Sequence, residues 1–282
     1  MSSPAERQPG PPDFVGVGAA GPGATWWSRL LFTHPEIRLP APRRRSLHFF
    51  DGFAMTPMTD ADVAAYHGHF PHAPGTLCGE WTSRYMLDGW TAPLIARAAP
   101  DAKLLAVLSD PIERYRGVFA QRREKFGPKE RFYMTDVAER ASHASQLARL
   151  HRFFDPARIL VLQHERCVRD PAGEYRRTLA FLGVRDREHF PRQLSPRAPG
   201  TRMSGLLGRV ARLGLPGRAT RRAAERVSGR PLGRTEAPLW PDLEAALHTA
   251  LDPEVERLAT LVPELDLALW PNFAHLGARA SA

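Results

Sequence analysis

The sequence predicts an α/β protein: a P-loop-like parallel sheet flanked by helices on both faces. Three observations carry that expectation. Short apolar runs alternate along the chain with longer amphipathic segments of helical period, the pattern of strands joined by right-handed helical crossovers. A strand, a glycine turn and a helix follow one another directly over residues 13–33. The run Lys103-Leu-Leu-Ala-Val-Leu108 is almost continuously apolar, as strands covered on both faces are.

In chain order, residues 13–18 read as a buried strand ending in glycines, and residues 24–33 as a helix with Trp26, Trp27, Leu30 and Leu31 at helical spacing. Residues 46–50 and 76–80 are candidate strands, residues 87–99 a helix, and residues 103–108 the clearest strand. Asp110-Pro111-Ile112-Glu113 then has the chemistry of a helix start, with an Asp cap, Pro in the first turn and Glu at the third position. A long amphipathic helix is expected over 135–154 and a strand over 158–163. Asp170-Pro171 opens a helix that Gly183 stops, and Asp252-Pro253 repeats the start signal near the end. Residues 13–276 are read as one domain with an Arg-rich insertion at about 192–235, after a polar, Pro-rich tail at 1–12 expected to be disordered.

Composition narrows the function classes. The chain has 282 residues, and 43% hydrophobic content suits one large soluble core. No run approaches the roughly 20 apolar residues of a membrane helix. Cys78 and Cys167 are the only cysteines, which points to a reducing, cytoplasmic setting and excludes a four-cysteine metal site. The formal net charge of +9 is regional: residues 192–235 hold eleven arginines against one acid, Glu225. Lysine occurs only at 103, 125 and 129, so the positive charge is nearly all guanidinium, and with abundant Ala, Gly and Pro this suggests a GC-rich bacterial genome. Residues 191–239 contain no Phe, Trp or Tyr, so the stacking platform of single-strand binders is missing. Neither nucleic acid nor a metal is therefore an expected partner.

Two segments carry the chemistry. Gly18-Ala-Ala-Gly-Pro-Gly23-Ala24-Thr25 closes a strand and opens a helix, a geometry that turns backbone N–H groups and the helix N-terminus toward an anion. It fits the phosphate loop G-x-x-x-x-G-K-[ST] except that Ala24 replaces the lysine, which counts against an ATPase or GTPase. The residues alone leave a ligand-free turn open. The second segment, residues 103–117, delivers Ser109 to the carboxyl edge of the sheet beside a helix start, where open α/β sheets bind ligands.

Together these segments resemble the sulfotransferase superfamily. Gly16-Val17 with Gly21-Pro22-Gly23-Ala24-Thr25-Trp26 is similar to its 5′-phosphosulfate loop, and residues 104–117 to its 3′-phosphate segment. Leu47-His48-Phe49-Phe50-Asp51 resembles the E-x-H-F-F-D segment of the heparan-sulfate sulfotransferase branch, and residues 79–85 its E-K-T/S-P-x-Y segment. Residues 159–165, 181–183 and 266–270 continue the likeness in order.

The resemblance implies in-line transfer of a sulfuryl group from the donor PAPS (3′-phosphoadenosine 5′-phosphosulfate) to a hydroxyl or amine of a small-molecule or carbohydrate acceptor. It implies donor contacts at Gly21, Pro22, Gly23, Ala24, Thr25, Trp26, Ser109 and Gly117, with Arg197 and Arg202 in a late loop closing over the nucleotide. It places catalytic groups at Glu80, His48 and Asp51, with Glu80 as base. The residues leave blander roles open: Glu80 as the ion-pair partner of Arg84, His48 as a core histidine, and Arg197 and Arg202 as a solvated face. The chain also departs from the pattern. Gly21 stands where the loop has Lys or Arg, Ala24 for a Thr, Ser109 and Gly117 for the 3′-phosphate Arg and Ser, Ser46 for a Glu and Trp81 for a Lys. A silent nucleotide- or partner-binding protein is the alternative that these departures raise.

Overall fold

The computed structural model describes residues 8–20, 22–117, 139–186 and 241–280. The Arg-rich segment 192–235 lies outside them. The elements in order are β1 (Gln8–Pro9), β2 (Phe14–Gly18), α1 (Pro22–Leu31), β3 (Ile37–Arg38), α2 (Asp60–His67), β4 (Pro71–His72), β5 (Leu77–Trp81), α3 (Thr91–Ala98) and β6 (Lys103–Leu108). Then come α4 (111–117), α5 (His143–His151), β7 (Ile159–Gln163), α6 (His164–Arg169), α7 (Pro171–Leu182), α8 (Pro241–Leu261) and α9 (Ala274–Ala280).

Five strands form one parallel sheet in the order β3-β5-β2-β6-β7. The period-2 alternation of a strand sends neighbouring side chains to opposite faces, and each face has its own core. Val15, Val17, Leu104, Ala106, Leu108 and Val161 pack on one side with residues of α3, α4, α5 and α8. Phe14, Leu105, Val107, Leu160 and Leu162 pack on the other with Trp26, Trp27, Leu30 and Leu31 of α1 and Tyr175, Leu179 and Leu182 of α7. Helices therefore cover both faces, as the apolar runs predict. The Trp27 indole N–H donates to Thr178 Oγ1 at 3.2 Å, joining α1 to α7.

The local signals at Asp-Pro are realised at two of three sites. Asp110 Oδ1 accepts from the N–H groups of Ile112 and Glu113, and Asp170 Oδ1 from that of Gly173, capping α4 and α7. Gly183 ends α7 with φ of 80°, the left-handed value glycine adopts without cost. Asp252-Pro253 is different, because Pro253 lies inside α8. Buried Leu247, Leu251, Val255 and Leu258 continue one apolar stripe through it, and tertiary packing outweighs the one backbone bond a proline removes.

Four further expectations are corrected. Residues 46–50 are not a strand: His48 has φ of 55° and a 3₁₀ turn covers Phe49–Phe53. Their N–H groups bond side chains instead of a neighbouring strand, as described below. The helix expected from 87 begins at Thr91, whose hydroxyl is occupied by the carbonyls of Asp88 and Tyr85 in the preceding turn. Of the helix expected over 135–154, residues 135–138 lie outside the described residues, a turn covers 140–141, and α5 runs from His143 to His151. The tail expected through residue 12 shortens, since Gln8 and Pro9 pair antiparallel with His72 and Pro71. His72 holds that stretch by a 2.8 Å contact with the Pro11 carbonyl.

Close packing at the sheet centre is testable at Gly16, where a Cβ would lie 2.1 Å from the Trp81 ring. Gly16→Ala is expected to cost about 1–3 kcal/mol by overpacking. Combined with Trp81→Leu, the loss should fall short of the sum of the single losses by at least about 0.5 kcal/mol in denaturant unfolding.

Candidate functional site

Parallel pairing of β2 with β6 aligns Phe14 with Lys103 and Gly18 with Ala106. Both strands therefore deliver their following turns to one edge. The Ala19 N–H donates to the Val107 carbonyl at 3.0 Å, and the Ala20 carbonyl accepts from Arg114 Nε at 3.0 Å and Nη2 at 2.7 Å. A guanidinium from α4 thus braces the glycine turn. Gly21 lies outside the described residues, and Pro22 begins α1. A Cβ at Gly23 would sit 2.6 Å from His164 Nδ1 and 3.2 Å from Val107 Cγ1, so only glycine lets α1 start this close to β6 and α6. The side chains of Ala24 and Trp26 are buried in the core, while Thr25 is exposed. Any donor contact by Ala24 or Trp26 would therefore be a backbone contact.

Beyond β6, Ser109 is buried at the edge, and Gly117, the last described residue of α4, is also buried. Asp110 and Glu165 knit this edge to the C-terminal segment. Glu165 accepts from the Asp110 N–H at 3.1 Å and from Trp270 Nε1 at 2.8 Å, while Asp110 Oδ2 accepts from Asn272 Nδ2 at 2.9 Å. Burial pushes Glu165 up to about 7 and raises Asp110, against the pull of these donors. Arg116 donates to Glu113 at 2.8 Å and Glu244 at 2.7 Å, which commits it to ion pairs.

The third part of the edge is the segment ahead of the 3₁₀ turn. Glu80, at the end of β5, is fully buried. Its carboxylate accepts from Thr82 Oγ1 at 2.6 Å, Tyr66 Oη at 2.9 Å, the Leu47 N–H at 3.0 Å and Tyr85 Oη at 3.2 Å. Arg84 pairs with Asp88 instead, at 2.7 Å. Burial raises Glu80 from the usual carboxylate value, and the four donors oppose that rise. Here the reading of Glu80 as base is corrected: an enclosed carboxylate ringed by donors holds neighbours in place and does not meet an acceptor. What it holds is the chain before His48. Thr82 Oγ1 accepts from the His48 N–H at 3.2 Å, and Tyr85 Oη accepts from the Phe49 N–H at 2.8 Å. The His48 side chain is more than half exposed, with Nδ1 2.9 Å from Asp51 Oδ2.

Two basic side chains at this edge were not singled out from the sequence. Arg45 Nη1 donates to Ser28 Oγ at 2.8 Å and the Thr25 carbonyl at 3.3 Å, placing a guanidinium on the first turns of α1. Burial and then Arg29 lower it from the ordinary arginine value, and it stays a cation at neutral pH. Its place in the run Arg43-Arg44-Arg45, just before His48, was the available signal. His143 at the start of α5 is 1% exposed and lies against the Ser109 backbone and Gln146, with neither ring nitrogen in full hydrogen-bond geometry. Burial, then Arg114, push it down to about 3. Arg197 and Arg202 lie outside the described residues.

A parallel sheet with a glycine turn, a second capped helix start and a His–Asp pair beyond its strand ends defines a P-loop-like α/β protein. Comparison with known proteins narrows this. The model of the sulfotransferase family matches residues 87–188. The chain is 27% identical over 190 residues to heparan sulfate glucosamine 3-O-sulfotransferase 6 of Mus musculus, covering 62% of this chain and 53% of that protein. It is 26% identical over 211 residues to heparan sulfate glucosamine 3-O-sulfotransferase 3A1 of the same organism, covering 65% and 52%. It thus spans about half the length of these curated relatives. Among solved structures, a sulfotransferase from Alicyclobacillus acidocaldarius superposes with a TM-score of 0.61 at 22% identity, over 92% of this chain and 98% of the other. The sulfotransferase domain of the Synechococcus PCC 7002 olefin synthase gives 0.52 at 17% identity, over 94% and 99%. The family-model match and the curated likenesses are all to sulfotransferases, and the solved sulfotransferase structures share this chain's fold.

The half-buried Glu165 makes a pH test. Its carboxyl is raised in the folded state, so folding retains a proton that the unfolded chain has released between about pH 4.5 and 7, and stability from this group falls as pH rises through that window. Glu165→Gln removes the titration. Relative to the parent, the variant should gain up to about 3 kcal/mol between pH 5 and pH 8 in urea unfolding. A constant difference across that range would show that Glu165 titrates normally.

Proposed function

We propose that this chain is a sulfotransferase that moves a sulfuryl group from PAPS to a hydroxyl or amine of a carbohydrate acceptor, with His48 as base. The observation that carries the reading is the shared edge: β2 and β6 bring the Ala19–Gly23 turn and the Ser109–Asp110 helix start side by side. The first suits a 5′-phosphosulfate and the second a 3′-phosphate. The heparan sulfate 3-O-sulfotransferase relatives favour a sugar hydroxyl as acceptor. No helix among the described residues is long and apolar enough to cross a membrane. Cys78 and Cys167 are buried free thiols, which suits a reducing compartment such as the cytoplasm.

In this reading Asp51 accepts from His48 Nδ1–H and leaves Nε2 as the proton acceptor, the orientation a carboxylate imposes on a neutral imidazole. The acceptor oxygen attacks sulfur in line as its proton passes to Nε2, and the bond from sulfur to the bridging phosphate oxygen breaks. The products are the sulfate ester and 3′,5′-ADP (PAP). His48 sits at a left-handed φ, held there by Thr82 and the Glu80 cage. Such conformations cost about 1–3 kcal/mol and persist where the surroundings enforce them. Glu80 is then a positioning residue. Charge on the departing phosphate would meet the backbone N–H groups of the turn and α1, with Arg45, which bonds the first turns of that helix, as a candidate cation. At the other phosphate, His143 and Arg114 stand beside Ser109, where the family carries an arginine.

Losing the loop cation and the Ser109 and Gly117 donors predicts weak binding of PAP, about tens of micromolar, since each charged hydrogen bond is worth about 1.5–3 kcal/mol. Calorimetry tests this, and the absence of any PAP binding would overturn the donor reading. Ser109→Arg with Gly117→Ser should tighten PAP about ten-fold or more. For turnover with labelled PAPS and desulfated heparan oligosaccharides, His48→Ala should lower kcat about 10²-fold or more with PAP affinity unchanged. Unaltered kcat would remove His48 from the mechanism.

A further inference from the structure

Away from the sheet edge, three side chains converge where the C-terminal helix meets α8. His248 and Asp252 lie one turn apart on α8, a spacing that puts both on one face of a helix. His275 comes from α9. His248 Nδ1 is 2.9 Å from Asp252 Oδ1, and His275 Nε2 is 3.1 Å from Asp252 Oδ2. The candidate ligand atoms of all three lie within 4.8 Å of one another. The imidazole rings meet edge to face with centroids 5.6 Å apart, and His248 also packs 5.7 Å from the buried ring of Phe273.

We propose that His248, Asp252 and His275 form a binding site for a zinc-type divalent cation that staples α9 to α8. Two neutral imidazoles and one carboxylate are a donor set such ions favour. Bonds of about 2.0–2.2 Å put neighbouring tetrahedral ligand atoms about 3.4 Å apart, close to the spacings here, so small side-chain rotations suffice. All three side chains are partly exposed, at 29%, 28% and 42%, which gives an ion a route in and leaves a fourth position for water. Two ligands are fixed by the helix repeat, His248 also by the Phe273 contact, while α9 supplies the third. The cation would therefore act on docking of the C-terminal helix and not on sulfuryl transfer. Sequence reading expected no metal because two cysteines exclude a four-cysteine site; this set shows no ligand spacing in the linear chain, since a turn and a 3₁₀ segment separate His275 from the α8 pair.

The test uses the full chain, stripped with chelator and titrated with Zn²⁺ alone. Binding of one Zn²⁺ per chain at micromolar or tighter affinity is expected, with a rise in Tm of several degrees. Co²⁺ should give the visible bands of a four-coordinate site. His275→Ala, at the most exposed ligand, should weaken Zn²⁺ at least ten-fold and abolish the Tm rise. Asp252→Asn, which keeps the size and hydrogen-bonding capacity of the side chain, should do the same, so a fold defect in one variant does not decide the matter. Equal Zn²⁺ affinity in both variants would place the ion on other histidines and overturn the proposal. So would no Tm rise in the parent chain, which would leave a His–Asp–His hydrogen-bond clamp.

Discussion

Strands β2 and β6 are separated by more than eighty residues yet share one parallel ladder, and every group at the carboxyl edge inherits its position from that ladder. Parallel pairing makes both strands end on the same side, and a turn leaving each must then open a helix back over the sheet. Gly23 is required because α1 starts against Val107 and His164, with no room for a Cβ. Arg114 then ties the turn after β2 to the helix after β6 through the Ala20 carbonyl. A shift of one residue in this register would exchange Val15 and Leu104 with the opposite core and break both faces at once. The anion-facing geometry is therefore a by-product of core packing.

Buried carboxylates then organise what the ladder places. An isolated buried carboxylate costs several kcal/mol, so it persists only where donors surround it. Glu80 has four donors from three stretches of chain, and one of them is the main chain just before His48. The residue that looked like a base from its type and place in the motif is instead the reason the exposed His48–Asp51 pair has a fixed position. Glu165 and Asp110 work in the same way across β6, β7 and the C-terminal segment, with Trp270 and Asn272 as donors. Desolvation lifts all three carboxyls from their usual values. That cost is balanced by the main chain and side chains they hold.

This contrast explains what could be read from the residues alone. Strand and helix positions follow from local period, and Asp-Pro and glycine punctuation acts within one turn, so the sheet, its covered faces and the caps of α4 and α7 were legible. Residues 46–50 were not, because apolar alternation at Leu47 and Phe49 imitates a strand while the N–H groups bond Glu80, Thr82 and Tyr85. Those partners lie more than thirty residues later and no local pattern announces them. Pro253 misled for the converse reason: a strong local signal was outweighed by a buried stripe on a 21-residue helix. His143 and Arg45 were missed because their value lies in what they stand beside in space.

The exchange of charge at this edge has a physical direction. Replacing a loop lysine by glycine and an edge arginine by Ser109 removes the cations that usually meet a nucleotide directly, each worth about 1.5–3 kcal/mol when charge-assisted. The backbone N–H groups of the turn and the α1 dipole remain, and they contribute less, about 0.3–1 kcal/mol for the dipole at an exposed end. Summed, the retained terms do not match the lost ones. They do keep their aim, because Arg114 and the β2–β6 ladder hold the turn whatever its side chains are. The guanidinium of Arg45 reaches the first turns of α1 from another stretch of chain, while His143 beside Ser109 is held neutral by burial and Arg114 and offers hydrogen-bonding nitrogens, not charge. A cation offset by a few ångströms in a partly buried site still interacts at an effective dielectric near 20, so displacement weakens its effect by a modest factor only. Rigid backbone with one displaced cation would thus still attract an anionic donor in the proposed reading, while in-line alignment at sulfur is more sensitive to where that charge sits. Erosion of the motif should accordingly fall harder on turnover than on binding.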